Sequence, residues 1–209
     1  MYGIQGYEAF FVSAVVFAMT PGLDTAFLIN KAISRGRRPA MLASLGINAG
    51  VMVHTLAAAL GLSALLAASP VAFSVIKWAG AAYLCWLGIE SFMTKRRSFA
   101  SLSVSTPPAE SPWTSFRTGM IANLLNPKVI LFVLAFFPQF IEPAEAGSPL
   151  PFLILGATYA AIGTVWYLIL AYFASALGTR LMTHPTYAKV LDRVSGSIFI
   201  LLGAKIAFD

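Results

Sequence analysis

The sequence predicts an all-α integral membrane protein: six transmembrane helices in two inverted three-helix repeats, with both termini outside. Three observations predict this fold, namely an apolar composition, six long apolar segments, and motifs that recur in order in the two halves. Of the 209 residues, 58% are hydrophobic and 11% are charged, and the mean hydropathy is +0.79. A soluble domain carries about 25% charged residues, so this chain has too little charge to cover a water-exposed surface.

Each apolar segment is long enough for one membrane crossing. The segments cover about 8–30, 41–68, 71–93, 118–141, 150–178 and 191–208. The second and third form one apolar run, broken at Ser69-Pro70. A single helix of that length would far exceed the ~30 Å hydrocarbon core. The proline is therefore predicted to mark a tight hairpin, which gives six spans.

The basic residues predict the orientation of the spans. Eleven of the fourteen Lys and Arg residues fall in the first, third and fifth loops: Lys31, Arg35, Arg37 and Arg38; Lys95, Arg96, Arg97 and Arg117; Arg180, Lys189 and Arg193. The positive-inside rule places these loops in the cytoplasm. A five-span alternative would scatter them over both faces. Residues 1–8 contain no Lys or Arg, so the first segment is interpreted as a retained span and not as a signal peptide.

Residues 1–209 are predicted to form one membrane domain in two halves. Repeat one covers about 1–97 and repeat two about 117–209, and the Ser-, Pro- and Ala-rich stretch at about 98–116 is predicted to be a flexible cytoplasmic linker. Corresponding motifs follow the same order in both repeats: Thr20-Pro21 with Asn126-Pro127, Leu45-Gly46-Ile47-Asn48 with Leu155-Gly156-Ala157-Thr158, and Lys77-Trp78-Ala79-Gly80 with Arg193-Val194-Ser195-Gly196. Because each repeat has an odd number of spans, the second is inverted relative to the first, as in many transporters.

Two prolines within spans predict helix interruptions at the middle of the membrane. Pro21 lies 10 residues before Lys31, and Pro127 lies 10 residues after Arg117. At 1.5 Å per residue, each proline is roughly 15 Å from the cytoplasmic edge. Proline removes a backbone hydrogen bond, and carbonyl groups freed in hydrocarbon must find a partner or line a polar cavity. The two interruptions could therefore face one another across a polar site.

The residues around these prolines suit a zwitterionic ligand. Helix amino-termini and Lys128 can donate to a carboxylate, while Asp24 and free carbonyl groups can accept from an ammonium group. The candidate substrate-binding residues are Thr20, Pro21, Gly22, Asp24, Asn48, Asn123, Asn126, Pro127 and Lys128, and the candidates for proton coupling are Asp24 and His54.

Each candidate also has a structural interpretation. The prolines could be simple kinks, and Asp24 with Lys128 could be an ion pair that joins the two halves. His54 could be a hydrogen-bonded packing residue. Asn48, Thr158 and Tyr159 fall near the starts of their spans, where they could line a path or bond between helices.

The signatures of other protein classes are absent from the sequence. It has no glycine-rich phosphate loop and no nucleophile elbow, so no enzyme activity and no catalytic residue are predicted. Cys85 has no partner thiol, and two histidines with one cysteine do not make a metal-ligand cluster, so no cofactor or resident metal is expected. The net charge of +6 is spread over loops that flank spans, which argues against a nucleic-acid partner.

Several motifs resemble those of the LysE/RhtB amino-acid exporters over nearly the whole chain. Thr20-Pro21-Gly22-Leu23-Asp24 resembles the family's Pro-Gly-Pro-(Asn/Asp) signature, with Leu23 standing where a second proline is usual. The third and fourth spans are similar as well, through Lys77 to Gly88, then Asn123-Leu124-Leu125-Asn126-Pro127-Lys128 and Phe136-Phe137-Pro138-Gln139-Phe140. The departure at Leu23 leaves Gly22 as the residue that would form the bend.

The resemblance implies a multi-pass exporter of amino acids in the bacterial inner membrane, driven by the proton motive force. One buried acid and one buried base match a neutral zwitterion, so a small neutral amino acid of the homoserine or threonine type is the expected substrate. The expected partners are that substrate, protons and the lipid bilayer, and a homo-oligomer stays open. The alternatives are a divalent metal cation exporter and a non-transporting membrane scaffold.

Overall fold

The computed structural model describes residues 2–93 and 110–177, together with positions 193, 197, 200, 201 and 204. These residues are helical apart from short connections and one antiparallel bridge between Ile4 and Ile141. The predicted all-α class is therefore confirmed for this part of the chain. Most of the linker predicted at about 98–116 and most of the sixth apolar segment lie outside it.

The first half contains a broken helix followed by two long apolar helical segments. Its helices are α1 (Tyr7–Met19), α2 (Leu23–Arg35), α3 (Arg37–Ala57), α4 (Ser63–Ala68) and α5 (Pro70–Met93). The broken helix is α1 with α2, and the two segments are α3 with α4 and then α5. A π-helical turn, Ala58–Leu62, joins α3 to α4. Gly36 separates α2 from α3 with a φ of +86°, a conformation that L side chains rarely adopt. The break predicted at Ser69-Pro70 is present, since α4 ends at Ala68 and α5 begins at Pro70.

The second half begins with another broken helix. It comprises α6 (Pro112–Leu124), α7 (Pro127–Leu131), a π-helical stretch (Phe132–Phe136), two 3₁₀ turns (Phe137–Phe140 and Pro143–Glu145) and α8 (Pro149–Leu177). The Ser111 hydroxyl caps α6 by accepting from the Thr114 backbone N–H at 3.1 Å. Helix α6 therefore begins inside the stretch predicted as a linker.

Within the described ranges, up to four membrane spans can be recognised by length and hydropathy. Two are continuous helices, Arg37–Leu66 and Pro149–Ala174. Two are bent pairs: α1 with α2 at 48°, and α6 with Pro127–Phe140 at 57°. The chain is thus a helical membrane protein, and both predicted interruptions are observed. The total of six spans, the inverted arrangement and the outside termini stay predictions.

The ends of the two broken spans meet at both extremities. At one end, the Gln5 N–H donates to the Phe140 carbonyl at 3.0 Å, and the Glu142 N–H donates to the Gly3 carbonyl at 2.9 Å. At the other end, Lys31 of α2 contacts Glu110, just before α6. The two broken spans therefore lie side by side along their whole length.

A tight glycine crossing brings α3 against α6. A Cβ atom added at Gly46 would overlap the Phe116 carbonyl oxygen of α6, and one added at Gly119 would overlap the Ala43 carbonyl oxygen of α3. Helices in membranes approach this closely where small residues face each other. The crossing fixes α6, and with it the second helix interruption, relative to the continuous helix α3.

Substituting either glycine at this crossing is expected to lower stability. Gly46→Ala and Gly119→Ala should each reduce the free energy of unfolding by about 1–3 kcal/mol, because backbone has to move aside. Gly61→Ala is the matched control, since a Cβ there would meet nothing within 4 Å. Thermal unfolding of the three variants in detergent tests this, and equal melting temperatures for all three would contradict the close crossing.

Candidate substrate site

The first interruption lies between α1 and α2. Pro21 cannot donate the N–H that a continuous helix needs, and Thr20 and Gly22 are both extended. The Thr20 N–H and hydroxyl both bond the Val16 carbonyl, at 2.9 and 2.7 Å, so α1 closes on its own last turn. Helix α2 then begins at Leu23, which places Asp24 in its first turn, where the helix dipole favours a negative charge.

The second interruption lies between α6 and α7 and is built differently. Helix α6 ends at Leu124, and α7 starts at Pro127, a residue suited to the first position of a helix. Asn126 is the amino-terminal cap: it is extended, and its side-chain oxygen accepts from the Lys128 backbone N–H at 3.1 Å. The Lys128 side chain thus extends from the first turn of α7, next to the break.

The two interruptions meet at the Asp24 carboxyl group. Asp24 is only 3% exposed, and Asn123 at the end of α6 is fully buried. The Asn123 side-chain amide donates to Asp24 Oδ2 at 2.8 Å. Asn126 and Lys128 line the same cavity as Asp24, close enough to interact with the carboxyl group electrostatically. An acid from one half of the chain therefore accepts a hydrogen bond from an amide of the other half and lies near a cation from it, which offsets part of the cost of burying it.

Lys128, from the second half of the chain, also contacts residues of the first half. Its Nζ donates to the Thr20 carbonyl at 3.3 Å, a group freed by the break after α1. The same Nζ lies 4.4 Å from the centre of the Phe17 ring, within the range of a cation–π contact. Each interruption thus supplies partners for polar groups that the other exposes, as hydrocarbon surroundings demand.

Around these groups is a cavity of about 10 Å³, space for about one water molecule. Helix α8 forms the wall opposite the breaks with two aromatic residues, Tyr159 and Tyr167. The lining residues are Phe17, Thr20, Gly22, Asp24, Thr25, Asn126, Lys128, Val129, Tyr159 and Tyr167. The volume is far below that of an amino acid, so a ligand of that size would fit only if the surrounding helices moved apart.

Two predicted residues lie beside this cavity without lining it. His54 of α3 is half-buried, and its Nε2 is 3.4 Å from the Asn123 carbonyl, so it neighbours the residue that holds Asp24. Asn48 lies further along α3: its Nδ2 donates to the Ser44 carbonyl at 2.8 Å, and its Oδ1 faces Gly163 of α8. Asn48 therefore lies where α3 packs against α8, and its Nδ2 hydrogen bond stays within α3.

The structure brings together most residues predicted around the breaks. Thr20, Gly22, Asp24, Asn126 and Lys128 line the cavity, Pro21 and Pro127 create the breaks, and Asn123 bonds the acid. Sequence reasoning missed four lining residues: Phe17, Thr25, Val129 and Tyr167. Tyr167 follows Tyr159 by eight positions, a spacing that stays on one stripe of a helix and that could have identified it.

A double-mutant cycle tests whether Asp24 and Asn123 hold each other. The variants Asp24→Leu and Asn123→Leu and their combination should show a coupling free energy of about 1.5–3 kcal/mol, as a hydrogen bond to a charged group does. Unfolding in detergent supplies the measurement. The matched control pairs Asp24→Leu with Asn48→Leu, which also removes a buried amide and should add within about 0.5 kcal/mol. Additivity in the Asp24–Asn123 cycle would show that the contact contributes nothing.

Comparison with known proteins identifies the family of the chain. A family model described as LysE type translocator matches residues 15–209. An uncharacterized membrane protein of Vibrio cholerae is 37% identical over 98% of this chain and 97% of its own. A homoserine/homoserine lactone efflux protein of Salmonella typhimurium is 32% identical, with 97% and 96% of the two chains covered. A leucine efflux protein of Enterobacter is 30% identical, covering 99% and 97%.

No solved structure matches the chain significantly. The family model and the relatives, in contrast, extend over both interruptions and over the helices that carry the site. The resemblance noted in the sequence is therefore confirmed, and the chain belongs to the LysE-type translocator family, a family of efflux transporters and not of enzymes.

Proposed function

We propose that this protein is a secondary active transporter that exports small neutral amino acids or their derivatives, of the homoserine or threonine type, across the bacterial cytoplasmic membrane. The observation that carries the proposal is that Asp24 and Lys128 share one buried cavity between the two helix interruptions. The relatives named for efflux of homoserine, homoserine lactone and leucine support an amino acid as cargo, and all three relatives quoted are bacterial.

The cavity offers complementary partners for both charged groups of an amino acid. In this structure Asp24 bonds Asn123, and Lys128 bonds the Thr20 carbonyl. When the cavity opens, Asp24 binds the substrate ammonium group, and Lys128 with Asn126 holds the carboxylate. Among the lining residues Asp24 is the one acid and Lys128 the one base, so a zwitterion leaves neither charge unmatched. A lysine or arginine substrate would need a further acid.

Transport follows from alternating access to this cavity. Two rigid halves that meet at interrupted helices can rock about a fixed midplane site, exposing it to each side in turn. Protons enter the cycle at Asp24, the buried acid, or at His54, which contacts Asn123 behind it. Either group would bind a proton while the cavity faces outside and release it inside, in exchange for the exported substrate.

The alternatives fit the site less well. A divalent cation needs several oxygen, nitrogen or sulfur ligands that converge at one depth. The cavity lining provides one carboxylate, and no group of three or more His, Cys, Asp or Glu residues converges in the part of the chain that the structure describes. A membrane scaffold needs packed helices but no buried charges, whereas here an acid and a base lie together at the interruptions.

Exchange of labelled substrate tests the proposal. In proteoliposomes, the wild type should exchange homoserine or threonine in a counterflow panel that also includes leucine, lysine and cadmium. Asp24→Asn should lower that exchange at least tenfold, roughly the effect of removing one partner from a buried charged contact. Glu8→Gln is the control, because Glu8 is an exposed carboxylate. No exchange of any amino acid by folded wild-type protein, or exchange of cadmium alone, would contradict amino-acid export.

A second measurement separates proton coupling from substrate binding. If His54 carries the coupled proton, His54→Asn should keep counterflow within about threefold of wild type, because the cavity lining is unchanged, yet lose accumulation driven by an imposed pH gradient. Asp24→Asn should lose both. Normal accumulation by His54→Asn would exclude His54 as the coupling group and leave Asp24.

A further inference from the structure

Helices α2 and α6 are joined at two levels. The inner contact is the Asn123–Asp24 hydrogen bond of the candidate site. The outer contact centres on Lys31, whose Nζ lies 2.7 Å from Glu110 Oε1 and 2.7 Å from the Thr118 hydroxyl. One helix belongs to each half of the chain, so both contacts cross between the halves.

The outer contact lies about two helical turns from the site, on the side of the basic residues. Lys31 follows Asp24 by seven residues, which is about two turns and roughly 10.5 Å along the same face of α2. On α6 the order is reversed, since Thr118 precedes Asn123. The two helices therefore run in opposite directions along one seam, with the outer contact between Asp24 and the end of the molecule that carries Arg35 and Arg37.

The outer contact is buried although its members are charged. The Lys31 and Glu110 side chains are each 8% exposed. Arg35 Nε approaches the second carboxylate oxygen of Glu110 at 3.5 Å, so one carboxylate serves two cations. For a buried ion pair, desolvation and mutual attraction nearly cancel, whereas separating the partners without water leaves costly buried charges. The two side chains therefore stay paired while water is excluded. Once water reaches them, they can separate with little net change in free energy.

The opposite end of the broken spans is closed by other means. Phe17 stacks on Phe132 at 3.7 Å between ring centres, and Phe10 packs against Phe136 and Phe137 beyond them. That closure is aromatic and apolar. The end near the basic residues is closed by charges that an aqueous face can solvate.

We propose that the Lys31–Glu110 ion pair, with Thr118 and Arg35, is the cytoplasmic gate of the transporter: it holds α2 against α6 and closes the route from the basic-loop side to the Asp24 cavity. The inference rests on the proposed function in that the cavity is taken as the substrate site. Lys31 therefore has a second role besides the orientation signal expected of it.

Access to the cavity from the cytoplasmic side tests the gate. The starting variant, called the parent, carries two substitutions. Thr25→Cys places a thiol in the cavity lining, and Cys85→Ser removes the native thiol. Sealed inverted vesicles are treated with a membrane-impermeant thiol reagent, and the labelling rate is measured. Glu110→Gln should raise the rate about tenfold or more, because Lys31 loses its charged partner. Thr118→Val removes one neutral acceptor from Lys31 and should raise it about threefold.

The exchange of charges provides the decisive control. In an Arg35→Gln background, which removes the second cation beside Glu110, Lys31→Glu combined with Glu110→Lys should restore the slow labelling of that background. Glu142→Gln, in an exposed loop at the opposite end, should not change the parental rate. The gate is overturned if Glu110→Gln labels at the parental rate, or if the exchanged pair labels as fast as Glu110→Gln while melting like the parent.

Counterflow by the wild type and by Glu110→Gln made in the wild type, both without the Thr25→Cys substitution, keeps the two proposals apart. Absence of amino-acid exchange by the wild type would overturn the proposed function. The labelling rates would still report whether the ion pair controls access to the cavity. Intact exchange with labelling unaffected by Glu110→Gln would overturn the gate alone.

Discussion

The hydrogen bond from Asn123 to Asp24 is the contact on which the rest of the site depends. A carboxylate buried in the middle of a membrane protein is costly unless it is held by donors. Here the donor is the side-chain amide of Asn123, which lies in the last turn of α6 next to the break. Asp24 in turn holds the first turn of α2 against the end of α6. The two breaks are therefore one structural unit formed from both halves of the chain.

The continuous helix α3 sets the position of this unit. A Cβ added at Gly50 would approach Asn123 Oδ1 to 2.6 Å, so the absence of a side chain at that position leaves room for the asparagine. Gly46 and Gly119 form the crossing one turn away, and His54 reaches the Asn123 carbonyl one turn further on. A single face of α3 thus carries small residues that admit α6 and one titratable residue next to the acid. This arrangement links helix packing to the chemistry of the site.

The sequence predicted the features that depend on local chemistry. Pro21 and Pro127 must interrupt helices wherever they lie within spans, and Asp24 and Lys128 had to find partners in an apolar stretch. It could not predict pairings set by packing alone. Lys31 and Glu110 are 79 positions apart, and Lys31 is indistinguishable in sequence from the other basic residues of its loop. Asn48 carries the same amide as Asn123, but its side chain lies against Gly163 of α8, a placement that the packing of α3 decides.

The central claim is that an amino acid binds between the two helix interruptions, with its ammonium group on Asp24 and its carboxylate on Lys128. The structure of the protein in a lipid nanodisc, determined with homoserine bound, measures this directly. We expect a cavity opened between the breaks and Tyr159, with the ligand contacting Asp24 and Lys128. A ligand bound elsewhere, with Asp24 still bonded to Asn123 and Lys128 to the Thr20 carbonyl, would contradict it.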